Sequence, residues 1–253
     1  MTETADRSDT PASPGSTEPG EPPAAKPLGR AGVLRRLLDL YESPRYLEIG
    51  VCEGFTFDRV EATRKVAVDP EFRFDHVAAA KANPGAEYHQ VTSDEYFAQI
   101  AGAKQRFDVI YLDGLHTFEQ TLRDLMNALH HLQPQGVIVI DDTVPPTYHA
   151  SIPSMERFGR LRAWLGDTNE AWMGDVYKLV WFIDTFCPNL THRTISNNHG
   201  QTVVWRHRRA QVTERSVTEV GSLSFEQMVL EEDVFGLRPF GEVRRELRRD
   251  LGI

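Results

Sequence analysis

"RYLEIGVCEGFTFDRVEATRKVAVDP", residues 45–70, is the stretch that decides the fold of this chain. Two short apolar runs lie at its ends, at 45–51 and 65–70, and each has the length and composition of a buried strand. The segment between them, 54–63, is long enough for one helix. A strand, a helix and a second strand in this order predict a βαβ unit with parallel strands.

The same alternation continues along the chain. Further apolar runs predict strands at 87–91, 107–113 and 136–142, and helical patterns lie at 31–43, 72–86, 93–104, 117–132, 154–167 and 174–189. Five strands that alternate with helices predict an α/β fold, in which helices cover both faces of a parallel sheet. Residues 190–208 predict a hairpin with an Asn-Asn-His-Gly turn, which we expect to add an antiparallel strand at the edge of the sheet.

Composition divides the chain into three parts. Residues 1–28 are dominated by Pro, Gly, Ser, Thr, Ala and Glu. Such a segment buries too little apolar surface to offset its chain entropy, so we predict a disordered N-terminal tail. Residues 29–208 form the predicted domain, and residues 209–253 form a polar, helical C-terminal extension. Two roles for the extension stay open: it covers the site, or it mediates contacts between copies of the chain.

Charge and cysteine content narrow the function classes. The 253 residues carry 28 lysines and arginines against 37 aspartates and glutamates, a net charge of −9. This balance argues against nucleic acid or an anionic membrane as a partner, because proteins that bind them usually carry a basic face. A local basic groove stays open as an alternative. Cys52 and Cys187 form neither a disulfide framework nor a metal-binding knuckle. No apolar run reaches the roughly 18 residues that span a bilayer and no secretory signal is visible, so we expect a cytoplasmic protein.

The residues that end the predicted strands are the candidates for function, because ligands of open parallel sheets bind beyond the carboxyl ends of the strands. The first strand carries Glu48 and Gly50, and Gly54 follows; glycines let the backbone approach a ligand. Asp69 ends the second strand, and its carboxylate can accept hydrogen bonds from a ribose diol. These residues indicate a nucleoside-containing cofactor; the alternative is an ordinary turn with a solvated aspartate. Cys52 replaces the middle glycine of the dinucleotide fingerprint, which argues against NAD.

Two further groups of side chains have open roles. Ser93 and Asp94 follow the third strand, where they either cap the next helix or contact the edge of a purine. Four large side chains in the second half either line an acceptor pocket or pack in the core: Met155, Trp164, Trp172 and Trp181.

Three aspartates, Asp113, Asp141 and Asp142, end the fourth and fifth strands. Neighbouring strand ends lie about 5 Å apart, so the three carboxylates converge, and they repel one another unless a cation neutralises them. Oxygen ligands without sulfur favour Mg²⁺, with Mn²⁺ or Ca²⁺ as alternatives. The alternative without a metal is that Asp142 caps a turn and Asp141 pairs with an arginine.

His116 follows Asp113 by three residues, on the loop into the next helix. From there it projects over the same crevice, where a neutral imidazole can take a proton from a substrate hydroxyl. We therefore predict a general base at His116. The alternative is a histidine at the start of a helix that faces water.

Four stretches resemble the successive motifs of class I S-adenosylmethionine-dependent methyltransferases: LEIGVCEG (47–54), VAVDP (66–70), FDVIYLDGLHTFEQTLRDL (107–125) and LQPQGVIVIDD (132–142). The resemblance covers roughly residues 30–208. It is closest to the branch of macrocin-type and other sugar O-methyltransferases of antibiotic biosynthesis, several of which depend on Mg²⁺. It implies a three-layer Rossmann-like fold with a seven-stranded sheet, mostly parallel, whose last strand is antiparallel.

The resemblance also implies a role for each strand-end residue. The residues implied for S-adenosylmethionine are, in chain order, Glu48, Gly50, Gly54, Asp69, Ser93, Asp94 and Asp113. The first three would surround its methionine portion, Asp69 would bind the ribose hydroxyls, and the Ser93–Asp94 pair would lie near the adenine. The magnesium ligands would be Asp113, Asp141 and Asp142. His116 takes the place of the proposed base, and Asp113 is the second catalytic residue.

These observations predict an O-methyltransferase that uses S-adenosylmethionine, with Mg²⁺, on a hydroxyl of a small molecule, such as a sugar or another vicinal diol of a secondary metabolite. The alternatives are a metal-independent N- or O-methyltransferase, a NAD-linked oxidoreductase on a similar sheet, and a cofactor-binding protein without catalysis. The expected partner is a small-molecule acceptor, with neither nucleic acid nor a membrane; assembly into a homo-oligomer stays open.

Overall fold

All the predicted strands form, and they join in one seven-stranded sheet of order β3-β2-β1-β4-β5-β7-β6. The computed structural model describes residues 28–253, so the tail predicted at 1–28 lies outside the described residues except for Leu28. The strands are β1 Arg45–Ile49, β2 Arg64–Val68, β3 Ala86–His89, β4 Phe107–Leu112, β5 Leu132–Ile140, β6 Leu190–Thr194 and β7 Thr202–Arg206. The first five are parallel to one another, and β7 is antiparallel to its neighbours, which confirms the predicted fold class.

The hairpin lies at the edge of the sheet, as predicted, but its two strands take an order that the sequence does not predict. The antiparallel strand β7 lies between β5 and β6, so the edge of the sheet is β6. The side chains explain this order. Val203, Val204 and Trp205 of β7 are fully buried, whereas β6 includes the partly exposed Arg193, which an edge position tolerates. The prediction of an antiparallel edge strand was therefore wrong in position and right in direction.

Helices cover both faces of the sheet. They are α1 Arg30–Leu38, α2 His76–Ala82, α3 Ser93–Glu95, α4 Phe118–His131, α5 Met155–Leu165, α6 Lys178–Phe186, α7 Val217–Ser222, α8 Phe225–Leu230 and α9 Phe240–Leu251. The apolar sides of α1 and α9 pack on one face, against the β-strand residues whose side chains point that way. Helices α4 and α6 pack on the other face. The result is a three-layer arrangement, with one buried cluster on each side of the sheet.

Two predicted helices take other forms. In the segment 54–63 only one turn of 3-10 helix forms, Phe57–Arg59. The buried ammonium of Lys65 accounts for this, because it donates to the carbonyl oxygens of Phe57 at 2.8 Å and Val60 at 3.0 Å. Residue Val60 is therefore held in an extended conformation, and the helix cannot continue. The segment predicted at 93–104 is the short α3 followed by a π-helical turn, Tyr96–Ile100.

The C-terminal extension packs against the domain that precedes it. Val220 of α7 and Met228 of α8 form a satellite cluster with Trp181 of α6. Helix α9 contributes Val243 and Leu247 to the same core cluster as α1. None of the helices between residues 28 and 253 has the length and apolar character that crossing a lipid bilayer requires.

Candidate active site

The carboxyl ends of three neighbouring strands are held level by backbone hydrogen bonds. The amide of Gly50 donates to Val68 at 2.9 Å, and the amide of Asp113 donates to Ile49 at 2.8 Å. The amide of Asp141 donates to Leu112 at 3.0 Å. The residues that follow β1, β4 and β5 therefore lie in one row along one edge of the sheet, as the topology predicts.

The turn after β1 depends on Gly50. Its φ is +87°, and a Cβ placed there would lie 1.9 Å from the carbonyl oxygen of Asp113. Only glycine fits this conformation and this close approach. Cys52 has a φ of +50°, so the backbone keeps the left-handed form that favours glycine although a cysteine is present. Gly54 is also left-handed, with a φ of +80°.

Asp69 fastens this turn to the end of β2. Its Oδ2 accepts the amide hydrogen of Cys52 at 2.8 Å, and its Oδ1 accepts that of Glu71 at 2.7 Å. A carboxylate oxygen can accept more than one hydrogen bond, so both oxygens of Asp69 can still accept one from a hydroxyl group. Asp69 is buried yet borders the crevice beyond the sheet, where it can serve both the turn and a ligand.

One cavity of about 670 Å³ lies beyond these strand ends. Its wall includes nearly all of the residues predicted for a cofactor or for catalysis: Glu48, Gly50, Asp69, Ser93, Asp94, Asp113 and His116. Gly54 is not part of the wall, although the neighbouring residues of its turn are. The volume is in the range of small-molecule sites.

The acidic cluster in the structure differs in one member from the predicted one. Ligand-type atoms of Asp113, His116 and Asp142 all lie within 4.8 Å of one another. The Nε2 atom of His116 is 3.1 Å from Oδ2 of Asp142 and 3.6 Å from Oδ1 of Asp113. The structure thus brings together two of the three predicted carboxylates with the predicted base, and Asp141 does not join this cluster.

Asp141 is instead surrounded by donors. It forms an ion pair with Arg30, accepts the hydroxyl hydrogen of Tyr111 at 2.5 Å, and its Oδ1 lies 2.8 Å from Nε2 of His199. Burial favours its neutral form, but the contacts with His199 and Arg30 outweigh burial and hold the pKa of Asp141 below its usual range. The alternative that Asp141 pairs with an arginine is therefore the arrangement observed.

The pKa of Asp142 is shifted in the opposite direction to that of Asp141. Burial, followed by the charge of Asp141, raises the pKa of its carboxyl well above the usual value. Its Oδ2 is buried and receives no hydrogen bond from the described residues. The φ of Asp142 is +59°, so its side chain leaves the chain in another direction than that of Asp141. Asp113 also has a raised pKa, first through burial and then through Asp141.

His116 is fixed by Trp172. Its Nδ1 lies 2.7 Å from the carbonyl oxygen of Trp172, so Nδ1 carries the hydrogen, and the two rings stack with centroids 4.9 Å apart. Nε2 is then the nitrogen that faces Asp142 and Asp113. Burial lowers the pKa of His116, but its interactions with Asp113 and Asp142 outweigh burial and raise the pKa to about 9. In this state the ring is an imidazolium near neutral pH and has no lone pair to accept a proton.

The segment after Trp172 docks onto the loop that carries His116. Gly174 has a φ of +60°, and a Cβ there would lie 1.6 Å from the carbonyl oxygen of His116. The next residue, Asp175, accepts the amide hydrogen of Phe118 at 2.7 Å, at the start of α4. This segment therefore positions His116 from outside the parallel sheet.

Ser93 and Asp94 border the cavity in the first turn of α3. The cap of that helix is Thr92, whose hydroxyl accepts the amide hydrogen of Glu95 at 3.2 Å. The side-chain amide of Gln120 donates to Ser93 at 3.1 Å and to Asp94 at 3.3 Å. The capping role predicted for this pair thus belongs to the residue before it, and both side chains stay at the cavity.

The four large side chains of the second half divide between pocket, core and solvent. Met155 and Trp172 line the cavity. Trp181 is fully buried in the core, and Trp164 is 81% exposed, so neither contributes to the cavity.

Comparison with protein families adds an independent observation. Residues 47–143 match the sequence model of a family described as a methyltransferase domain. The matched segment runs from β1 to the residue after Asp142. The prediction of a methyl-transferring enzyme is thereby confirmed. A search of curated proteins found no match.

Three solved structures resemble this chain in chain path. The O-methyltransferase TomG from Streptomyces achromogenes, in complex with SAM, is 17% identical, covers 70% of this chain and 79% of its own, and gives a TM-score of 0.47. An O-methyltransferase from Bacillus cereus, in complex with SAH, is 16% identical, with 69% and 79% covered and a TM-score of 0.48. MycE, a methyltransferase of the mycinamycin biosynthetic pathway in complex with Mg, SAH and mycinamycin VI, is 18% identical, with 72% and 50% covered and a TM-score of 0.44. Similarities this weak say nothing about the substrate of this chain.

Three residues at the site are absent from the sequence-based candidates: Arg30, Tyr111 and His199. Arg30 and His199 lie 111 and 58 residues from their partner Asp141, so no local spacing connects them with it. Tyr111 had a usable signal. It precedes Asp113 by two residues on β4, so both side chains point to the same face, and its hydroxyl lies 3.2 Å from Oδ2 of Asp113.

Proposed function

We propose that this chain is an S-adenosylmethionine-dependent O-methyltransferase that acts, with the help of a divalent cation, on a small molecule with neighbouring hydroxyls. One observation carries the proposal. A single cavity at the carboxyl ends of β1, β2 and β4 is bordered both by the residues suited to a nucleoside cofactor and by Asp113 and His116, whose cluster the buried Asp142 completes. Cofactor and acceptor would meet there at the distance that methyl transfer needs.

The cofactor half of the cavity suits S-adenosylmethionine. Glu48 is a buried carboxyl whose pKa burial raises well above the usual value, and it accepts the hydroxyl hydrogen of Tyr46 at 2.5 Å. The ammonium group of the methionine portion would give this carboxylate a cationic partner. Asp69 would accept the ribose hydroxyls, and Ser93 and Asp94, which also line the cavity, would lie near the adenine base. S-adenosylmethionine supplies the methyl group on a sulfonium, which is a good leaving group.

The acidic half of the cavity suits a divalent cation. The buried Oδ2 of Asp142 lacks a hydrogen-bond donor among the described residues, and Asp113 has a raised pKa beside it. Carboxylate oxygens with one imidazole nitrogen form a donor set that Mg²⁺ or Mn²⁺ accepts. Asp113, His116 and Asp142 would hold such a cation. Once bound, it would lower the pKa of an acceptor hydroxyl and favour acceptors with two adjacent oxygens.

The chain's own residues orient the reacting groups. The carbonyl of Trp172 fixes the tautomer of His116, so that Nε2 faces the cluster. In the structure Nε2 lies 3.1 Å from Oδ2 of Asp142 without a hydrogen bond to it, and the raised pKa of His116 keeps a proton on Nε2. A positive charge within the cluster would release that proton and leave a lone pair. Nε2 would then act either as a ligand or as the base that takes the hydroxyl proton. Stacking of His116 on Trp172 excludes water from one side of the ring.

A second function is favoured by Arg30 and is kept as an alternative. Arg30 pairs with Asp141 and lies 3.6 Å from Asp142, so arginine and imidazolium together supply positive charge to the cluster without a metal. In this metal-independent mode the cluster would be structural, and the acceptor would be an amine or an already acidic hydroxyl.

The proposal includes finer steps that rest on the sequence resemblance. A sugar or other vicinal-diol acceptor and a place in antibiotic biosynthesis belong to this group. The proposed cytoplasmic location rests instead on the cysteine content, since two distant cysteines suit a reducing compartment. The partner is a small molecule, with no role for nucleic acid or a membrane. A homo-oligomer is compatible with this function and is not required by it.

Two experiments test the cofactor and the metal separately. Calorimetric titration with S-adenosylhomocysteine and with NAD decides the cofactor: we expect the first to bind and the second not to. Release of S-adenosylhomocysteine is then measured with catecholic and sugar acceptors before EDTA treatment, after it, and after add-back of Mg²⁺. Loss of turnover after EDTA treatment and its recovery with Mg²⁺ would support a role for the cation in the reaction. Full turnover in metal-free buffer selects the metal-independent alternative, and NAD binding without S-adenosylhomocysteine binding would refute the proposal.

A further inference from the structure

A second cavity of about 730 Å³ adjoins the first one. Arg30, Phe55 and Thr56 belong to the walls of both cavities, so the two spaces meet along these side chains. Arg30 in turn contacts Asp141 and Asp142, which places the junction directly beside the acidic cluster. A molecule that reaches the cluster with one end can extend into the second cavity with the other.

The second cavity has the opposite charge to the rest of the chain. Its wall carries three arginines and a histidine, Arg30, Arg35, Arg59 and His199, and none of its lining residues in the range 28–253 is an aspartate or glutamate. The chain as a whole has a net charge of −9. A wall of this kind attracts anions, because the local field and not the net charge acts on a ligand inside a cleft.

Two of the arginines have their charge free for a ligand. Arg30 is paired with Asp141. Arg35 and Arg59 form no ion pair with any carboxylate among residues 28–253. Arg59 is held in place by its neighbour, since its Nη1 donates to the carbonyl oxygen of Phe55 at 3.2 Å. A guanidinium group binds carboxylate and phosphate in a paired geometry, so free arginines in a cleft suit these two groups.

An exposed aromatic ring stands at the junction. Phe55 is 62% exposed, and the guanidinium of Arg59 lies 5.8 Å from its ring centroid. Its ring borders both cavities, so it offers an apolar platform for the body of a ligand that spans them.

We propose that the acceptor carries an anionic group, a carboxylate or a phosphate ester, which Arg35 and Arg59 bind while its hydroxyls face Asp113 and His116. The body of the acceptor lies against Phe55 between the two ends. This inference deepens the proposed function and rests on it for the identity of the ligand as a methyl acceptor. It predicts that anionic acceptors are preferred over neutral ones of the same hydroxyl pattern.

The experiment compares matched probes that differ only in the anionic group. Dissociation constants are measured by calorimetry, with S-adenosylhomocysteine and Mg²⁺ present, for 3,4-dihydroxybenzoate against catechol and for glucose 6-phosphate against glucose. We expect at least one anionic member to bind about tenfold more tightly than its neutral partner. The first pair tests a carboxylate and the second a phosphate ester, so the pair that shows the preference identifies the group.

Variants assign the preference to this cavity. Arg35→Gln and Arg59→Gln are expected to reduce the ratio of neutral to anionic dissociation constants towards one. Arg36→Gln is the matched control, because Arg36 is an exposed neighbour on α1 that does not line the cavity, and the ratio should stay as in wild type. Equal affinities within both pairs in wild type, or a preference that both Arg35→Gln and Arg59→Gln retain, would overturn the inference.

The design distinguishes this inference from the proposed function and from a competing occupant. If S-adenosylhomocysteine itself does not bind, the proposed function fails; if it binds and no anionic preference exists, only the present inference fails. The competing occupant is the chain's own N-terminal segment, because residues 1–27 contain five acidic and two basic residues. Glu18→Gln with Glu21→Gln in the full chain should leave anion affinity unchanged. A rise of about tenfold would show that the segment competes with the anion for the same arginines, which also supports an anion site in this cavity.

Discussion

The Nε2 atom of His116 lies 3.1 Å from Oδ2 of Asp142, whereas the carboxylate of Asp141, the preceding residue, contacts Arg30 and His199. The left-handed backbone of Asp142 separates the two side chains, so consecutive aspartates serve different partners. Asp141 has its charge compensated inside the protein. If a cation binds, Asp142 and Asp113 are the carboxylates that we expect to hold it. The two aspartates should therefore respond differently to the same substitution.

We expect Asp142→Asn to weaken divalent-cation binding by about tenfold or more, because the cluster loses a charged ligand while asparagine still tolerates the left-handed backbone. Binding of Mn²⁺, followed by electron paramagnetic resonance or calorimetry, measures this directly. Asp39→Asn is the control, since Asp39 is an exposed carboxylate at the end of α1. A variant with wild-type Mn²⁺ affinity would remove Asp142 from the cation site.

Asp141→Asn should act on stability more than on the cation. It leaves Arg30 and His199 without their anionic partner, and we expect a loss of about 1–3 kcal/mol in the free energy of unfolding. The partial exposure of Arg30 keeps this loss below that of a fully buried pair. Urea denaturation of wild type and variant gives the difference. If Asp141→Asn instead lowered Mn²⁺ affinity as much as Asp142→Asn, Asp141 would be a ligand, as the sequence predicts.

Gly50→Ala tests the turn that forms the cofactor side of the cavity. The added Cβ would lie 1.9 Å from the carbonyl oxygen of Asp113, on a backbone with φ of +87°, so either the turn or the end of β4 must move. We expect a loss of about 2–4 kcal/mol in stability and of most S-adenosylhomocysteine affinity. Gly102→Ala is the matched control, because a Cβ there meets no atom within 4 Å. Equal effects of the two substitutions would show that Gly50 has no special role.

The sequence predicts the sheet and its working edge because both follow from local pattern and general topology. Apolar runs of strand length mark the parallel strands, and right-handed connections bring their carboxyl ends to one side. The place of β7 does not follow from such rules. It depends on pairing with β5, which lies more than 60 residues earlier in the chain, and on which hairpin strand is the more apolar.

The sequence predicts those parts of the site that lie within a few residues of one strand end. Asp113 and His116 are three residues apart, so their proximity could be inferred from the chain alone. The separation of Asp141 from Asp142 could not, because it depends on a positive φ at an aspartate and on an arginine 111 residues away. The basic cavity could not be predicted from the sequence for the same reason, because Arg35 and Arg59 lie on segments that only the fold brings together.

His192 gives a prediction for the pH dependence of stability. It is buried on β6, its Nε2 lies 2.8 Å from the carbonyl oxygen of Val234, and its Nδ1 has no hydrogen-bond partner among the described residues. Burial lowers its pKa to about 4, although the hydrogen bond to Val234 opposes this. In the unfolded chain the pKa of a histidine is about 6.5. Between these two values the unfolded state binds a proton that the folded state does not.

Stability linked to His192 is therefore complete above about pH 6.5 and is lost progressively as the pH falls towards 4, by up to about 3 kcal/mol. Asp124 acts in the opposite direction, because burial raises the pKa of its carboxyl to about 6 and the folded state then binds the extra proton. A comparison of His192→Gln with wild type cancels that contribution. Glutamine does not titrate, so the variant should lose less stability than wild type when urea denaturation is repeated from pH 7 to pH 4. Parallel pH profiles for the two proteins would mean that His192 is protonated in the folded state as readily as in the unfolded one.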